Sequence, residues 1–187
     1  MASTGKKIVR PPFVVVRNAL DPELNQRLKA QLLELSKSES DAGSNKPSGK
    51  SFFDNKWLSR NDLHQRGFAD FNATAQHIER LVNGVARSRR PLAVNSMWAI
   101  VSRSGMAGKR HMHTDAMSIA YYVDPGRSGN GNGGEICFYA DAGDRKKVSH
   151  MFVPEYGAMV MFPSRMFHSV NQYESSQPRI VISANLA

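Results

Sequence analysis

The chain has only one cysteine and no long apolar run, and each shortage excludes a class of protein. Cys137 alone cannot form an intramolecular disulfide, which excludes a secreted, cross-linked scaffold and fits a reducing cytosol. The longest apolar run near the N-terminus, Phe13–Val16, is too short for a signal-peptide core or a membrane span. We therefore expect a cytoplasmic protein with no membrane partner.

Acidic residues are also in short supply, mainly in the first half of the chain. Lys and Arg outnumber Asp and Glu by 16 to 9 in residues 1–90, but only by 9 to 7 in residues 91–187. A basic surface can attract nucleic acid or another polyanion. Here the charges are spread along the segment, so we interpret them as a solvated, solubilising surface.

The length of 187 residues predicts a single domain. The first part, residues 1–90, is expected to supply an N-terminal strand at Phe13–Val16 and two supporting helices. Asp21 as N-cap, with Pro22 at the first helical position, predicts where the first helix starts, and apolar periodicity predicts the second over Asp70–Arg87. Residues 36–50, rich in Ser, Gly, Lys and Asn, predict a mobile loop.

The second part, residues 91–187, has the pattern of an antiparallel sheet or barrel. Short apolar stretches alternate with polar or glycine-rich turns, and a jelly roll uses about eight such strands. The glycine-rich loop 124–134 precedes a strand pattern, which predicts a hairpin connection rather than a phosphate loop. We predict a mainly β fold, a double-stranded β-helix (cupin-like jelly roll) with the two helices packed on its major sheet. The predicted strands are Ala93–Val101, Ser118–Val123, Glu135–Tyr139, Lys147–Val153, Ala158–Phe162, Phe167–Asn171 and Arg179–Asn185.

Three residues have the chemistry of a metal site. His113 and Asp115 are two residues apart, a spacing that on a strand points both side chains to the same face. His168 follows 53 residues after Asp115, on another predicted strand. Two imidazoles and one carboxylate around an ion suit non-haem iron(II) and leave coordination positions open. Arg179, at the start of an apolar strand, is suited to grip a planar carboxylate.

The order His-x-Asp, then His, then Arg resembles the iron(II)- and 2-oxoglutarate-dependent oxygenases, particularly their compact prolyl-4-hydroxylase-like branch. The resemblance runs from about Trp98 to Asn185, roughly half of the chain. It extends to further stretches that match in order and spacing: Ile119–Asp124, Gly133–Phe138, Gly157–Pro163 and His168–Val170.

The resemblance implies a dioxygenase that hydroxylates an unactivated C–H bond and releases succinate and carbon dioxide. Iron(II) would be held by His113, Asp115 and His168, and no further catalytic residue is implied. Arg179 would anchor the C5-carboxylate of 2-oxoglutarate, assisted by Tyr122. Oxygen would be the other co-substrate, and ascorbate an optional reductant. Because Asp115 occupies the position that a halogenase leaves for chloride, hydroxylation is favoured over halogenation.

Three further residues lie near this constellation in the sequence. Arg103 stands where several relatives place a tyrosine that contacts the co-substrate, so it is a candidate for binding the co-substrate or an acidic group of the substrate. In an unbroken strand, His111 would share a face with His113. We interpret His111 as a polar residue at the pocket entrance, with a ligand or substrate contact as the alternative. Trp98 is interpreted as a core aromatic.

The substrate and two competing functions stay open at this point. Resemblance to prolyl hydroxylases favours a protein or peptide residue such as proline, although the fold also accepts small molecules. One alternative is a non-catalytic jelly-roll binding protein that holds zinc or manganese, against which Arg179 argues. The other is nucleic-acid demethylation, against which Asn185 argues, because the alkylation-repair relatives have an arginine at that position.

Overall fold

The computed structural model describes residues 13–42, 55–86, 88–126, 133–139 and 147–187. The predictions for residues 43–50 and 127–132 of the two loops lie outside this described part. Within it the chain forms two helices, α1 (Pro22–Ser38) and α2 (Ala69–Val85). The strands are β1 (Val14–Val16), β2 (Lys56–Leu58), β3 (Val94–Ser102), β4 (Met106–His111), β5 (Met117–Asp124), β6 (Ile136–Tyr139), β7 (Val148–Phe152), β8 (Met159–Pro163), β9 (His168–Tyr173) and β10 (Arg179–Leu186).

Helix α1 begins as the sequence predicts and ends later. Asp21 Oδ1 accepts the backbone N–H groups of Glu23 and Leu24 at 2.9 and 3.2 Å, the hydrogen bonds of an N-cap. At the other end, Ser36 Oγ donates to a carbonyl of the preceding turn at 2.8 Å, and the helix continues to Ser38. The loop predicted from residue 36 is therefore wrong for its first three residues, because their serines bond to the helix instead of leaving it.

The strands form two antiparallel sheets. The larger sheet has the order β1-β8-β5-β10-β3-β2 and the smaller has the order β4-β9-β6-β7. Aromatic rings of the two sheets meet between them: the Phe138 ring of β6 lies 5.1 Å from the Phe162 ring of β8. The prediction of a mainly β fold with antiparallel sheets and two N-terminal helices is confirmed.

Strand alternation gives the larger sheet two different faces. On β5, Tyr121 lies in the same apolar cluster as buried residues of both helices, and its hydroxyl donates to Asn25 Oδ1 of α1 at 2.6 Å. Tyr122 belongs to the cluster between the sheets. The two tyrosines point in opposite directions, as neighbouring residues of a strand do. The side chains of the larger sheet that can reach a site between the sheets are therefore those on the same face as Tyr122.

Candidate metal and co-substrate site

A cavity of about 400 Å³ lies between the two sheets. Most of its wall is apolar, contributed by residues such as Ile100, Ile136 and Val181. The polar side chains along it include most of those that the sequence analysis assigned to a metal and a co-substrate. They are His111, His113, Tyr122, His168 and Arg179.

Three imidazoles come together on one side of this cavity. The ligand atoms of His111, His113 and His168 lie within 4.8 Å of one another, and the ring centroids are 4.2–5.3 Å apart. His111 lies opposite His168 in the pairing of β4 with β9. His113 follows the end of β4, and its N–H donates to Ser164 O at 2.8 Å. The expectation that His113 and Asp115 lie on a strand is thus wrong: both lie in the connection between β4 and β5.

Backbone carbonyls orient two of the imidazoles. His168 Nδ1 lies 2.9 Å from Met166 O, and His111 Nδ1 lies 2.7 Å from Lys109 O. A carbonyl oxygen only accepts hydrogen bonds, so each Nδ1 must donate its proton. In both rings Nε2 is then the atom that can bind a metal, and the hydrogen bond on the opposite nitrogen fixes the ring.

Burial favours the neutral form of two of the imidazoles, those of His113 and His168. Burial lowers the pKa of His168 to about 4, the Met166 carbonyl opposes this lowering, and the neighbouring His111 and His113 add to it. Burial also lowers the pKa of His113, with a further lowering by His111 and an opposing effect of Asp115. Neutral imidazole is the form that binds metal ions. Protons are therefore disfavoured at the atoms that a metal would occupy.

Asp115 lies beside the three-histidine cluster without being a member of it. Its Oδ1 accepts a hydrogen bond from Asn95 Nδ2 on β3 at 2.9 Å. Its charge acts on His113, as the effect on the pKa of that imidazole indicates. Carboxylates that bind metals are commonly held by such a hydrogen bond from a neighbouring side chain. The sequence analysis missed Asn95, and no motif marks it, because only the pairing of distant strands brings it near Asp115.

Arg179 is buried elsewhere in the same cavity, at the first position of β10. Only 3% of the residue is exposed, and Cζ lies 5.4 Å from the centre of the Tyr122 ring. Its Nη2 donates to Gly134 O at 3.4 Å. Gly134 has φ +77°, and a Cβ at this position would lie 3.3 Å from Cδ and Nε of Arg179. The Gly-Gly pair seen in the sequence therefore allows the chain to pass closely over the guanidinium.

Two other candidates lie where the sequence did not place them. Arg103 is exposed in the turn between β3 and β4 and is not among the described residues that line the cavity. Trp98 lines the cavity, with its ring 6.0 Å from that of His113. Its expected place in the core is wrong, because its neighbours Met97 and Ala99 take the helix-facing positions of β3.

The donors of this site fit a divalent metal together with a dicarboxylate. Imidazole nitrogens with a carboxylate are a ligand set for iron(II). The three imidazoles are grouped closely enough to meet around one ion, and Asp115 lies two residues after His113. The guanidinium of Arg179 is a strong partner for a carboxylate, particularly where water is excluded. The three imidazoles and the guanidinium of Arg179 line the same cavity.

Comparison with known proteins gives a family and a fold. A family model described as 2OG-Fe(II) oxygenase matches residues 96–185. No curated protein matches the chain significantly. In the part of the chain that the structure describes, no helix has the length and apolar character of a transmembrane span.

Solved structures with the same fold include two prolyl hydroxylases and an epimerase. One is a prolyl hydroxylase from Trichoplax adhaerens, in complex with a hypoxia inducible factor oxygen degradation domain peptide fragment. It matches with a TM-score of 0.72 and 16% identity, over 94% of this chain and 83% of that chain. The non-heme alpha ketoglutarate dependent epimerase SnoN from nogalamycin biosynthesis matches with a TM-score of 0.72 and 14% identity, over 94% of this chain and 76% of that chain. A Pseudomonas putida prolyl-4-hydroxylase matches with a TM-score of 0.66 and 16% identity, over 94% of this chain and 91% of that chain.

Proposed function

The chain belongs to the 2OG-Fe(II) oxygenase superfamily, and from this premise we propose that it hydroxylates an unactivated C–H bond, releasing succinate and carbon dioxide. The observation that carries the proposal is the shared cavity. Imidazoles with metal-binding geometry and a buried guanidinium line the same space of about 400 Å³. When bound, iron and 2-oxoglutarate supply the oxidising chemistry, and the protein supplies orientation and an apolar wall.

We propose His113, His168 and Asp115 as the iron ligands. For His168 the ligand atom is Nε2, because Nδ1 donates to Met166 O. For Asp115 it is Oδ2, because Oδ1 accepts from Asn95. His111 is the alternative to Asp115 as third ligand, since its imidazole belongs to the observed cluster.

Arg179 is proposed to bind the C5-carboxylate of 2-oxoglutarate. Its fork of N–H groups matches the two oxygens of a carboxylate, and its burial strengthens the pairing. The Tyr122 hydroxyl is proposed to donate to the same carboxylate, because its ring lies below the guanidinium. Arg103 is omitted from this co-substrate site because it is exposed in a turn.

A protein or peptide residue such as proline is the first substrate class that we propose. The fold similarity to prolyl hydroxylases of Trichoplax adhaerens and Pseudomonas putida supports it. A small-molecule substrate is the second class, since the epimerase SnoN has an equally similar fold. The reducing cytosol expected from the single cysteine would keep iron in its ferrous state.

The proposed function is tested by following metal binding and turnover separately. Iron(II) and 2-oxoglutarate, added without oxygen, should give the weak visible charge-transfer band of a metal-bound 2-oxo acid, and oxygen should then yield succinate. His113→Ala, His168→Ala and Asp115→Ala should abolish both signals. His77→Ala is the matched control, because it removes a half-buried imidazole of α2 that contacts Arg80 and does not line the cavity.

The variants also separate the two third-ligand candidates. If Asp115 binds iron, His111→Ala keeps the band and Asp115→Ala loses it; the reverse pattern would assign a three-histidine site. Full turnover in both His113→Ala and Asp115→Ala would refute the enzyme site. A wild-type protein that binds zinc or manganese but gives no band with iron and 2-oxoglutarate would favour the alternative of a non-catalytic metal-binding protein.

A further inference from the structure

A second, more open pocket adjoins the cavity. This outer pocket has a volume of about 980 Å³, and its wall includes Glu39 and Arg66. It shares three wall residues with the cavity: Leu58, Trp98 and Asn185. A substrate that reaches from the outer pocket into the cavity must pass these three residues, which we call the junction.

The amide of Asn185 is held in one orientation at the junction. Only 6% of the residue is exposed, and its Oδ1 accepts a hydrogen bond from Ser118 Oγ at 2.7 Å. Ser118 Oγ also lies 2.8 Å from Ser164 Oγ. Because Ser118 gives its single hydroxyl proton to Asn185, Ser164 must donate to Ser118. This chain of hydrogen bonds fixes the amide oxygen toward β5.

The nitrogen of the same amide is available to a ligand. Among the residues that the structure describes, none forms a hydrogen bond with Asn185 Nδ2. An NH2 group that is largely shielded from water is stabilised by an acceptor that reaches it. Because Oδ1 is already used, Asn185 presents hydrogen-bond donors and no acceptor to the junction.

The charged side chains of the outer pocket are engaged with protein groups. Arg66 Nη1 donates to Glu39 Oε2 at 2.9 Å, and Arg60 Nη2 lies 3.1 Å from Asp62 Oδ2. Asp41 Oδ1 accepts a backbone N–H of β2 at 3.0 Å. Because these charges already have partners, a neutral ligand group suits this side of the junction better than an ion does.

Trp98 supplies an aromatic wall at the junction. The residue is half-buried, and its ring centroid lies 6.0 Å from that of His113. Aromatic rings pack well against hydrocarbon groups. The junction therefore combines an apolar surface close to a proposed iron ligand with an amide donor of fixed orientation.

We propose that Asn185 selects the substrate by donating a hydrogen bond from Nδ2 to a neutral carbonyl oxygen, such as that of an amide. A carbonyl oxygen is complementary because it only accepts, whereas a hydroxyl group would bring a proton for which Asn185 has no acceptor left. A carboxylate also accepts, but the removal of its charge from water costs more than one hydrogen bond to a neutral amide returns. The inference rests on the proposed function, because iron and 2-oxoglutarate make the cavity the place of reaction.

Two probes with the same ring and the same number of non-hydrogen atoms test this role: neutral cyclopentyl methyl ketone and cyclopentanecarboxylate. The protein is loaded with diamagnetic zinc(II) and saturated with 2-oxoglutarate, so that the metal site and Arg179 are occupied. Affinities are measured by NMR titration. The side-chain NH2 signal of Asn185 is assigned by its absence in Asn185→Asp.

The variants separate the donor from the packing of the side chain. Asn185→Leu keeps the branched shape and removes all hydrogen bonding, whereas Asn185→Asp removes only the NH2 group and keeps an acceptor for Ser118. Asn72→Leu is the matched control, because Asn72 is an exposed asparagine of α2 whose Oδ1 accepts from Gln76.

Wild type should bind the ketone about fivefold more tightly than either Asn185 variant, which is the effect of one neutral hydrogen bond. The NH2 protons of Asn185 should move downfield when the ketone binds, a change that an asparagine with only a structural role would not show. Wild type should prefer the ketone to the carboxylate, and Asn72→Leu should behave as wild type. Affinity for 2-oxoglutarate should change by less than about twofold in every variant.

Several outcomes would overturn the inference. They are an unchanged ketone affinity in both Asn185 variants, an unmoved NH2 signal at saturating ketone, or no saturable ketone binding. Tighter binding of the carboxylate would also overturn it and would assign an anionic substrate. Binding of 2-oxoglutarate to the zinc-loaded wild type is measured first. Its failure would refute the proposed function and this inference together, whereas normal 2-oxoglutarate binding without an effect of Asn185 would refute only the role of Asn185.

Discussion

Replacing Arg179 with Met tests the co-substrate site most directly. Only 3% of Arg179 is exposed, so a carboxylate paired with it is largely shielded from water. Met keeps an unbranched apolar stem beside Tyr122 and Gly134, and it removes the charge and the donors. The variant therefore isolates the electrostatic contribution of the guanidinium from its packing.

The burial of this guanidinium sets the size of the expected effect. Truncating one partner of a buried, hydrogen-bonded charge pair costs about 2–5 kcal/mol, and a value of about 3 kcal/mol weakens binding roughly 150-fold. Arg179→Lys should lie between wild type and Arg179→Met, because it restores the charge without the planar fork.

Pyruvate supplies the internal control for this measurement. It has the same 2-oxo acid group as 2-oxoglutarate but no distant carboxylate. Calorimetry on the manganese-loaded protein should therefore find that Arg179→Met weakens the binding of 2-oxoglutarate roughly 150-fold and changes the affinity for pyruvate by less than about twofold. If the variant weakens both ligands equally, or neither, Arg179 does not bind the distant carboxylate.

Two further variants, Asn95→Ala and Gly133→Ala, test the support of the site, and Gly84→Ala is the control for the second. Asn95→Ala should lower manganese affinity about 10- to 100-fold, measured by competition with a chromophoric chelator, because it removes the hydrogen bond on Asp115 Oδ1; unchanged affinity would argue against Asp115 as a ligand. Gly133→Ala should lower the free energy of unfolding by about 2 kcal/mol or more in urea, because φ is +72° and the new Cβ would overlap the backbone oxygen of Gln172. Gly84 lies in helix α2, and a Cβ added there would meet no atom within 4 Å. Gly84→Ala should therefore raise the free energy of unfolding by about 0.5–1 kcal/mol. Equal effects of the two glycine variants would contradict this reasoning.

The parts of the fold that the sequence predicts are those whose signal is local. The N-cap at Asp21 and the apolar run of β10 each need only neighbouring residues to be recognised. β4 has no such signal, because it carries Gly108, Lys109 and Arg110 and borders the cavity. Its glycine fits a close approach to the facing strand, since a Cβ at Gly108 would lie 3.1 Å from Val170 Cβ. A strand that depends on its partner strand in this way cannot be recognised from apolar periodicity.

The same distinction applies to the site. His168, Arg179 and Tyr122 lie on strands with clear apolar patterns, and the structure brings all three to the cavity. Asn95 was missed because its neighbours are determined by pairing between distant strands. Trp98 was assigned to the core because the sequence does not show which face of β3 the helices cover. Sequence spacing therefore identifies candidate ligands better than the residues that support them.

The geometry of the His-x-Asp motif is set by the turn that precedes His168. The segment containing His113 is irregular, and its backbone is bonded to Ser164 between β8 and β9: His113 N–H donates to Ser164 O at 2.8 Å, and Ser164 N–H donates to Ala116 O at 3.3 Å. The Ser164 hydroxyl is buried and lies 2.8 Å from that of Ser118. His168 begins the strand that follows this turn. This small hydrogen-bonded unit therefore links the position of His113 to that of His168. It explains how His113 can lie in a loop, and not on a strand as the His-x-Asp spacing predicts, and still come close to His168.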